Sequence, residues 1–213
     1  MTPEINNNKE LIPFEHYLEE YRKADPKEMA ARTHAVYREA DSTFEIRFLN
    51  RDYEITWPDY EIRCTDGKEQ YSPLLGTNQA KILVIRFLLE GNIIESTGTF
   101  LTYRDVPWGE VYYRQFNGRC MQRMAFGYGT TDAKMQAFRE QMEKLGAVSV
   151  GCADAAYEYE IFDGYRVRFL IWQGDEEFPP STQILFSDNF AAAFHAEDLV
   201  VVCEVVINAL KKL

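Results

Sequence analysis

Apolar and polar positions divide the chain into segments of two periods. After Pro13, Phe14, Tyr17, Leu18 and Tyr21 recur at i, i+3, i+4 and i+7, the stripe of an amphipathic helix. A second helix is predicted from Pro26 to about Arg38. Asp25 caps it, Pro26 suits its first turn, Glu28 completes a capping-box-like spacing, and Met29, Ala30, Thr33, Val36 and Tyr37 face inward. The period then falls to two. Phe44, Ile46 and Phe48 alternate with Glu45 and Arg47, and Tyr53, Ile55 and Trp57 alternate with Glu54 and Thr56, which predicts a hairpin with residues 49–52 as its loop. That loop pairs Ile46 with Ile55, Phe44 with Trp57 and Arg47 with Glu54. Tyr60, Ile62 and Cys64 read as a further short strand, and residues 78–90 as a helix apolar nearly all round, stopped by Gly91.

Residues 97–129 read as mixed: Asp105 and Pro107 start a helix carrying Val111, Tyr112 and Phe116, which Asn117-Gly118 interrupts before Met121 and Met124. Met135, Phe138, Met142 and Leu145 then mark a helix capped by Asp132 and ended by Gly146. A second hairpin comes next. A three-residue loop, Phe162 to a left-handed Gly164, pairs Ile161 with Tyr165 and Tyr159 with Val167, and sets Glu160 and Glu158 against Arg166 and Arg168. Thr182–Phe186 reads as a strand, and Ala196–Leu210 as a closing helix ended by Lys211 and Lys212.

These elements predict an α+β fold: a mainly antiparallel sheet built from two long hairpins and short strands, packed by five to six helices. Both hairpins turn their apolar faces inward and leave their Glu-Arg faces wet. Residues 1–12 are expected to be a disordered tail and 13–213 one globular domain. The order helix, charged hairpin, acidic loop, buried helix occurs over 26–90 and again over 132–210, which fits an internal duplication or coincidence.

Composition narrows the function classes. With 46% hydrophobic and 14% aromatic residues in 213, the chain holds too much apolar area to remain unfolded, and at this length roughly 70% of its extended surface is buried. The net charge of −11 argues against a nucleic-acid partner. The apolar runs 82–89 and 199–207 are far shorter than the ~20 residues a bilayer requires, and the start lacks the basic patch and apolar run of a signal peptide. A soluble, cytoplasmic protein with no membrane or nucleic-acid partner is expected. A small molecule, a protein or a second copy of the chain all fit as partners. Cys64, Cys120, Cys152 and Cys203 have no ligand-like spacing and read as free, buried or half-buried thiols.

The most unusual stretch runs from Trp172 through Gly174, Asp175, Glu176, Glu177 and Phe178 to Pro179-Pro180. Its three carboxylates, with Asp154 and Asp188 in reach, could hold a hard cation or work as an acid-base pair, or could be a solvated turn. No metal ligand set and no cofactor can be assigned. In the turn reading the chain re-enters the core at Phe178, and Asp175 folds inward onto backbone N–H groups. Arg104 and Arg114 with Tyr112 and Tyr113 could line an anion pocket. His16, His34 and His195 are isolated, and Gly127-Tyr128-Gly129 lacks the rest of a dinucleotide fingerprint.

The runs WQGDEEFPPSTQILFSDNFAAAFHAEDL, DPKEMAARTHAVY and GTFLTYRDVPWGEVYYRQF resemble the family called domain of unknown function 3786, from Tyr17 onward. The matching motif positions are Trp172, Gly174, Asp175, Glu176, Glu177, Phe178 and Pro179, with Gly98, Arg104, Gly109 and Phe116. The resemblance implies a setting in strictly anaerobic organisms, with a link to corrinoid or one-carbon metabolism conceivable, and no established activity or catalytic residue. The cysteine-rich iron-sulfur segment fused to some members is absent from this sequence. The combined expectation is a non-catalytic binding or accessory protein of anaerobic metabolism; the alternative is an enzyme with an acidic, divalent-metal-assisted site at Asp175–Glu177. Convergence of those carboxylates with Arg104 and Tyr112 in one pocket would favour the enzyme.

Overall fold

The computed structural model describes residues 8–68 and 71–213, with side chains from residue 13 onward. The first helix starts before Pro13 rather than at it. Helix α1 spans Asn8–Lys23 and takes Pro13 inside it, while residues 1–7 lie outside the described residues. There Pro13 forgoes the bond to the carbonyl of residue 9.

Helix α2 covers Pro26–Thr33, with the Asp25 carboxylate accepting from Lys27 N. It does not reach Arg38. His34 turns left-handed at φ 52°, and Val36–Arg38 form strand β1. The β-branched Val36 and aromatic Tyr37 fit a strand as well as a helix, and pairing with the next strand decides between them. That strand, β2 (Thr43–Phe48), forms a hairpin with β3 (Arg51–Thr56), and β4 is Ile62–Cys64. The predicted inward face is correct, but the register is not. The turn is only Leu49-Asn50, both at positive φ (51° and 57°), so Phe44 pairs with Ile55 and Ile46 with Tyr53. Leucine is disfavoured in that conformation. Burial of its side chain and the bond from Leu49 N to Ile161 O (2.9 Å) hold it there. The tighter register sets Glu45 opposite Glu54, and Arg38 resolves the clash by donating to both, at 2.5 and 2.9 Å.

Short helix α3 (Pro73–Gly76) leads into α4 (Asn78–Glu90), which ends at Gly91 as predicted. Strand β5 (Phe100–Thr102) and a tight turn precede α5 (Gly109–Phe116). Asn117-Gly118 does not break the helix. A π-helical turn, Asn117–Met121, carries α5 directly into α6 (Gln122–Tyr128). Tertiary contacts override the weak local propensity: Arg119 pairs with Glu204, Cys120 faces Val200 O at 3.6 Å, and Arg123 donates to Asn208 at 2.5 Å. Val111, predicted as an anchor of this segment, is exposed, because the inward face of α5 is the Phe116 side. Helix α7 (Asp132–Leu145) is capped by Thr131, whose hydroxyl accepts from Lys134 N, rather than by Asp132.

Strands β6 (Val148–Ser149), β7 (Ala155–Phe162), β8 (Tyr165–Trp172) and β9 (Ser181–Ser187) precede α8 (Ala196–Leu210). Tyr159↔Val167, Glu160↔Arg166 and Glu158↔Arg168 pair as predicted. At the turn Phe162, not Ile161, meets Tyr165, across a bulge between Glu160 and Phe162. The bulge lets Phe162 face the core, where its ring lies against Phe48 and Phe87.

The nine strands of the described residues form one antiparallel sheet in the order β4-β3-β2-β7-β8-β9-β5, with β1 on β2 and β6 on β7. Among the described residues, the meanders β2-β3-β4 and β7-β8-β9 share one ladder pair, Phe48↔Phe162, at the turn ends of their first strands. Each half runs helix, short strand, three-strand meander and long helix. Strand order is thus the same in both halves, as a duplication of 26–90 and 132–210 requires.

Helices cover one face of this sheet. Phe44, Phe162, Phe169 and Phe186 share it by register, and Tyr21 of α1, Phe87 of α4, Phe116 of α5 and Phe138 of α7 pack on it. Helices α4 and α8 lie at the centre, and α8 is buried along nearly its whole length. The other face carries the Glu-Arg ladders, with Glu45, Arg47 and Arg166 exposed. All four cysteines are free. Cys120 and Cys203 are buried, but Cys152 is exposed, because it lies in the bend between β6 and β7 rather than on a core-facing strand position.

Candidate functional site

The acidic loop joins β8 to β9. Asp175 Oδ1 accepts from Glu177 N (2.8 Å) and Phe178 N (2.7 Å), while Asp175 N donates to Phe178 O (2.9 Å). These N–H groups hold its carboxyl below the ordinary range. Phe178 does not re-enter the core; it is 67% exposed. Pro180 takes the inward place instead, closing so tightly on Gly129 and Gly174 that a Cβ at either would lie 2.8 or 2.7 Å from its ring. Replacing Asp175 by Ala is expected to lower the melting temperature by about 2–4 °C, and Glu176→Ala to leave it unchanged. Because the folded-state pKa of Asp175 is lowered, this contribution is present above the ordinary carboxylate range and fades as pH falls below it. Thermal melts of the two variants at pH 7 and at pH 3 check both statements.

The other sequence candidates are dispersed. Asp154 lies beside the loop, its Oδ2 accepting from Gln173 N at 2.8 Å. Asp188 sits at the far end of β9, where it accepts from Ser96 Oγ (2.5 Å) and Thr97 N (3.2 Å). Trp172 is half-buried at the end of β8. Arg104 stacks on Tyr113 (3.8 Å to the ring centroid) and pairs with Glu110 at 3.3 Å. Tyr112 belongs to neither group. Among the described residues, no three His, Cys, Asp or Glu side chains are grouped so as to hold a metal ion.

Tyr112 instead helps form a hollow of about 340 Å³ with Arg86, Trp108, His195, Ala196 and Glu197. Local sequence explains its shape. Thr102 and Asp105 close a tight turn, in which Asp105 Oδ2 accepts from Thr102 N (2.9 Å) and Oγ1 (2.7 Å). The tight turn so fixed buries Tyr103, whose ring stacks on Phe116 at 4.0 Å and whose hydroxyl donates to Ala196 O at 2.9 Å. That bond ties the turn to the start of α8.

Val106-Pro107 then lead into Trp108, which adopts φ 65°. Gly109 comes directly after it, where a Cβ would collide with Tyr103 O at 1.8 Å. The chain can pass this point only with glycine there, and it leaves the Trp108 side chain 74% exposed. Trp108 and Tyr112 lie four residues apart on one helical face. A hydrogen bond to Glu197 and its charge raise the Tyr112 phenol above its ordinary value.

The floor is Arg86 of α4. It donates to Asp198 Oδ1 (2.5 Å) and Glu90 Oε2 (3.2 Å) and lies over the Tyr17 ring at 5.4 Å. Burial pushes the Asp198 carboxyl up, against the pull of Arg86. A second hollow, about 390 Å³, opens on the bare sheet face between Arg47, Asn50, Glu158, Glu160 and Arg166. Its cations are partly matched already, Arg47 to Asn50 Oδ1 (2.6 Å) and Arg166 to Glu158 (3.5 Å).

Of the residues around Trp108, sequence reasoning singled out Tyr112 and set His195 aside as isolated. Arg86, Trp108 and Glu197 were missed, although Pro107-Trp108-Gly109, a bulky aromatic between two residues of special backbone, was a readable signal. No helix among the described residues is long and apolar enough to cross a membrane. A family described as "Domain of unknown function (DUF3786)" matches residues 25–209. No curated protein and no solved structure matches the chain.

Proposed function

We infer that this chain, which belongs to the family described as Domain of unknown function (DUF3786), is a non-catalytic binding or accessory protein that takes its ligand at Trp108. The setting in anaerobic metabolism rests on the family resemblance. The carrying observation is Trp108 itself, an aromatic side chain held outward at φ 65° by a turn that glycine alone can complete. Backbone strain of this kind, about 1–3 kcal/mol, persists where the surroundings over-determine it, and such positions cluster at binding sites. An exposed tryptophan beside a tyrosine offers contact area with little rotamer entropy to lose.

The enzyme alternative takes second place. An acidic, metal-assisted site at Asp175–Glu177 would have only Oδ2 of Asp175 to offer, since Oδ1 accepts from two backbone N–H groups, and Arg104 and Tyr112 face elsewhere. Native mass spectrometry of anaerobically purified protein tests the two readings together. The expected result is a small-molecule adduct on the native chain that Trp108→Ala loses and Glu176→Gln/Glu177→Gln retains. An adduct lost only in the carboxylate variant would reverse the order of the readings.

A further inference from the structure

The walls of the Trp108 hollow are selective in charge. Trp108 and Tyr112 contribute aromatic rings, whose faces are electronegative, and Glu197 contributes an exposed carboxylate. The one permanent cation among the described lining residues, Arg86, is spoken for: it is 14% exposed, bonded to Asp198 and Glu90, and covered by Tyr17. Behind the lining, Glu90 lies 3.6 Å from His195 Nε2 and adds a second carboxylate nearby. One cation thus stands against three carboxylates, on a chain of net charge −11. An anion would meet these carboxylates before the Arg86 guanidinium, whose unpaired Nε is buried, whereas an organic cation would meet two aromatic side chains and an exposed carboxylate within one small hollow. About 340 Å³ is room for an alkylammonium head group and a few carbons.

We propose that the hollow between Trp108, Tyr112 and Glu197 binds a small organic cation, an alkylammonium or quaternary ammonium group, with the rings taking its face and Glu197 its charge. This rests on Trp108 being the ligand site and adds the class of ligand.

The three tryptophans give three indole N–H signals in a proton–nitrogen correlation spectrum, and the one that Trp108→Phe removes identifies Trp108. Tetramethylammonium chloride should shift that signal saturably. The neutral isostere tert-butanol should bind at least about fivefold more weakly, and sodium acetate should not bind. Glu197→Gln should weaken tetramethylammonium about threefold and leave tert-butanol unchanged. Tert-butanol binding as tightly as tetramethylammonium, or acetate binding more tightly, overturns the cation proposal while leaving Trp108 as a ligand site. If none of the three probes moves the Trp108 signal, the proposal falls and the Trp108 site falls with it. Equal weakening of tert-butanol and tetramethylammonium in Glu197→Gln would assign Glu197 to the shape of the hollow and overturn its part as counter-charge.

Discussion

Phe162→Ala is expected to destabilise the protein by about 3–5 kcal/mol, the range for deleting a fully packed aromatic, as measured by chemical denaturation. Phe162 is 2% exposed, and its ring lies 4.9 Å from Phe48, 4.5 Å from Phe87 and 5.4 Å from Phe194. Those three partners come from β2, from α4 and from the turn before α8, so one side chain holds elements of both halves. Among the described residues it also forms half of the only ladder pair that joins β2 to β7. Phe178→Ala is the control, since that ring is exposed and its loss should be near neutral. A loss below about 1 kcal/mol for Phe162→Ala would mean that the halves are held together mainly elsewhere.

Arg51→Met should be equally damaging, by about 3–5 kcal/mol, because it strands a buried carboxylate. Arg51 and Asp66 are 7% and 4% exposed at their side chains, and Arg51 donates to Asp66 at 2.5 and 2.9 Å. It also donates to Tyr71 O and Lys68 O, which clamps the segment after β4 onto the hairpin. The double replacement Arg51→Met/Asp66→Leu should recover a good part of the loss, since the pair as a whole contributes less than its breakage costs. Arg51 holds the Asp66 carboxyl far below its ordinary value. A lowered folded-state pKa gives stability that is complete above the unfolded pKa and is lost as pH falls through the folded one. The native protein should therefore lose stability below about pH 4, while the double variant should lack this component of the acid slope. Identical acid slopes in the two would show that the pair carries no linkage.

What could be read from the sequence depended on whether a local signal and a tertiary one agreed. Helices α4 and α8 fall where their apolar patterns and stops predict, because Gly91 and Lys211-Lys212 end segments whose burial already favours a helix. Both inward faces were legible for the same reason. The register of the first hairpin was not. Leu49 in a left-handed turn goes against its own preference and is held there by burial and by the distant Ile161 carbonyl. Likewise, Asn117-Gly118 reads as a break, and only Glu204, Val200 and Asn208 on α8 show why the helix continues. The turn function of Asp175 was readable because its N–H partners are two and three residues away. The Trp108 hollow was not, since α4, α5 and the start of α8 meet there only after folding.

The way the sheet ends bears on how the protein behaves when crowded. The outer strands β4 and β5 are three residues each, and the strands that fill the open sides of β2 and β7, β1 and β6, are three and two. A neighbouring chain that tried to extend the sheet would find at most three residues of ladder before the backbone turned away. The longest strands, β7 and β8, with eight residues each and rich in aromatic and β-branched side chains, are the segments most able to template a fibril. Of the two, β8 is paired along both sides, while β7 is paired along β8 on one side and at Tyr157, Glu158 and Phe162 on the other. The short borders therefore act as guards against edge-to-edge aggregation.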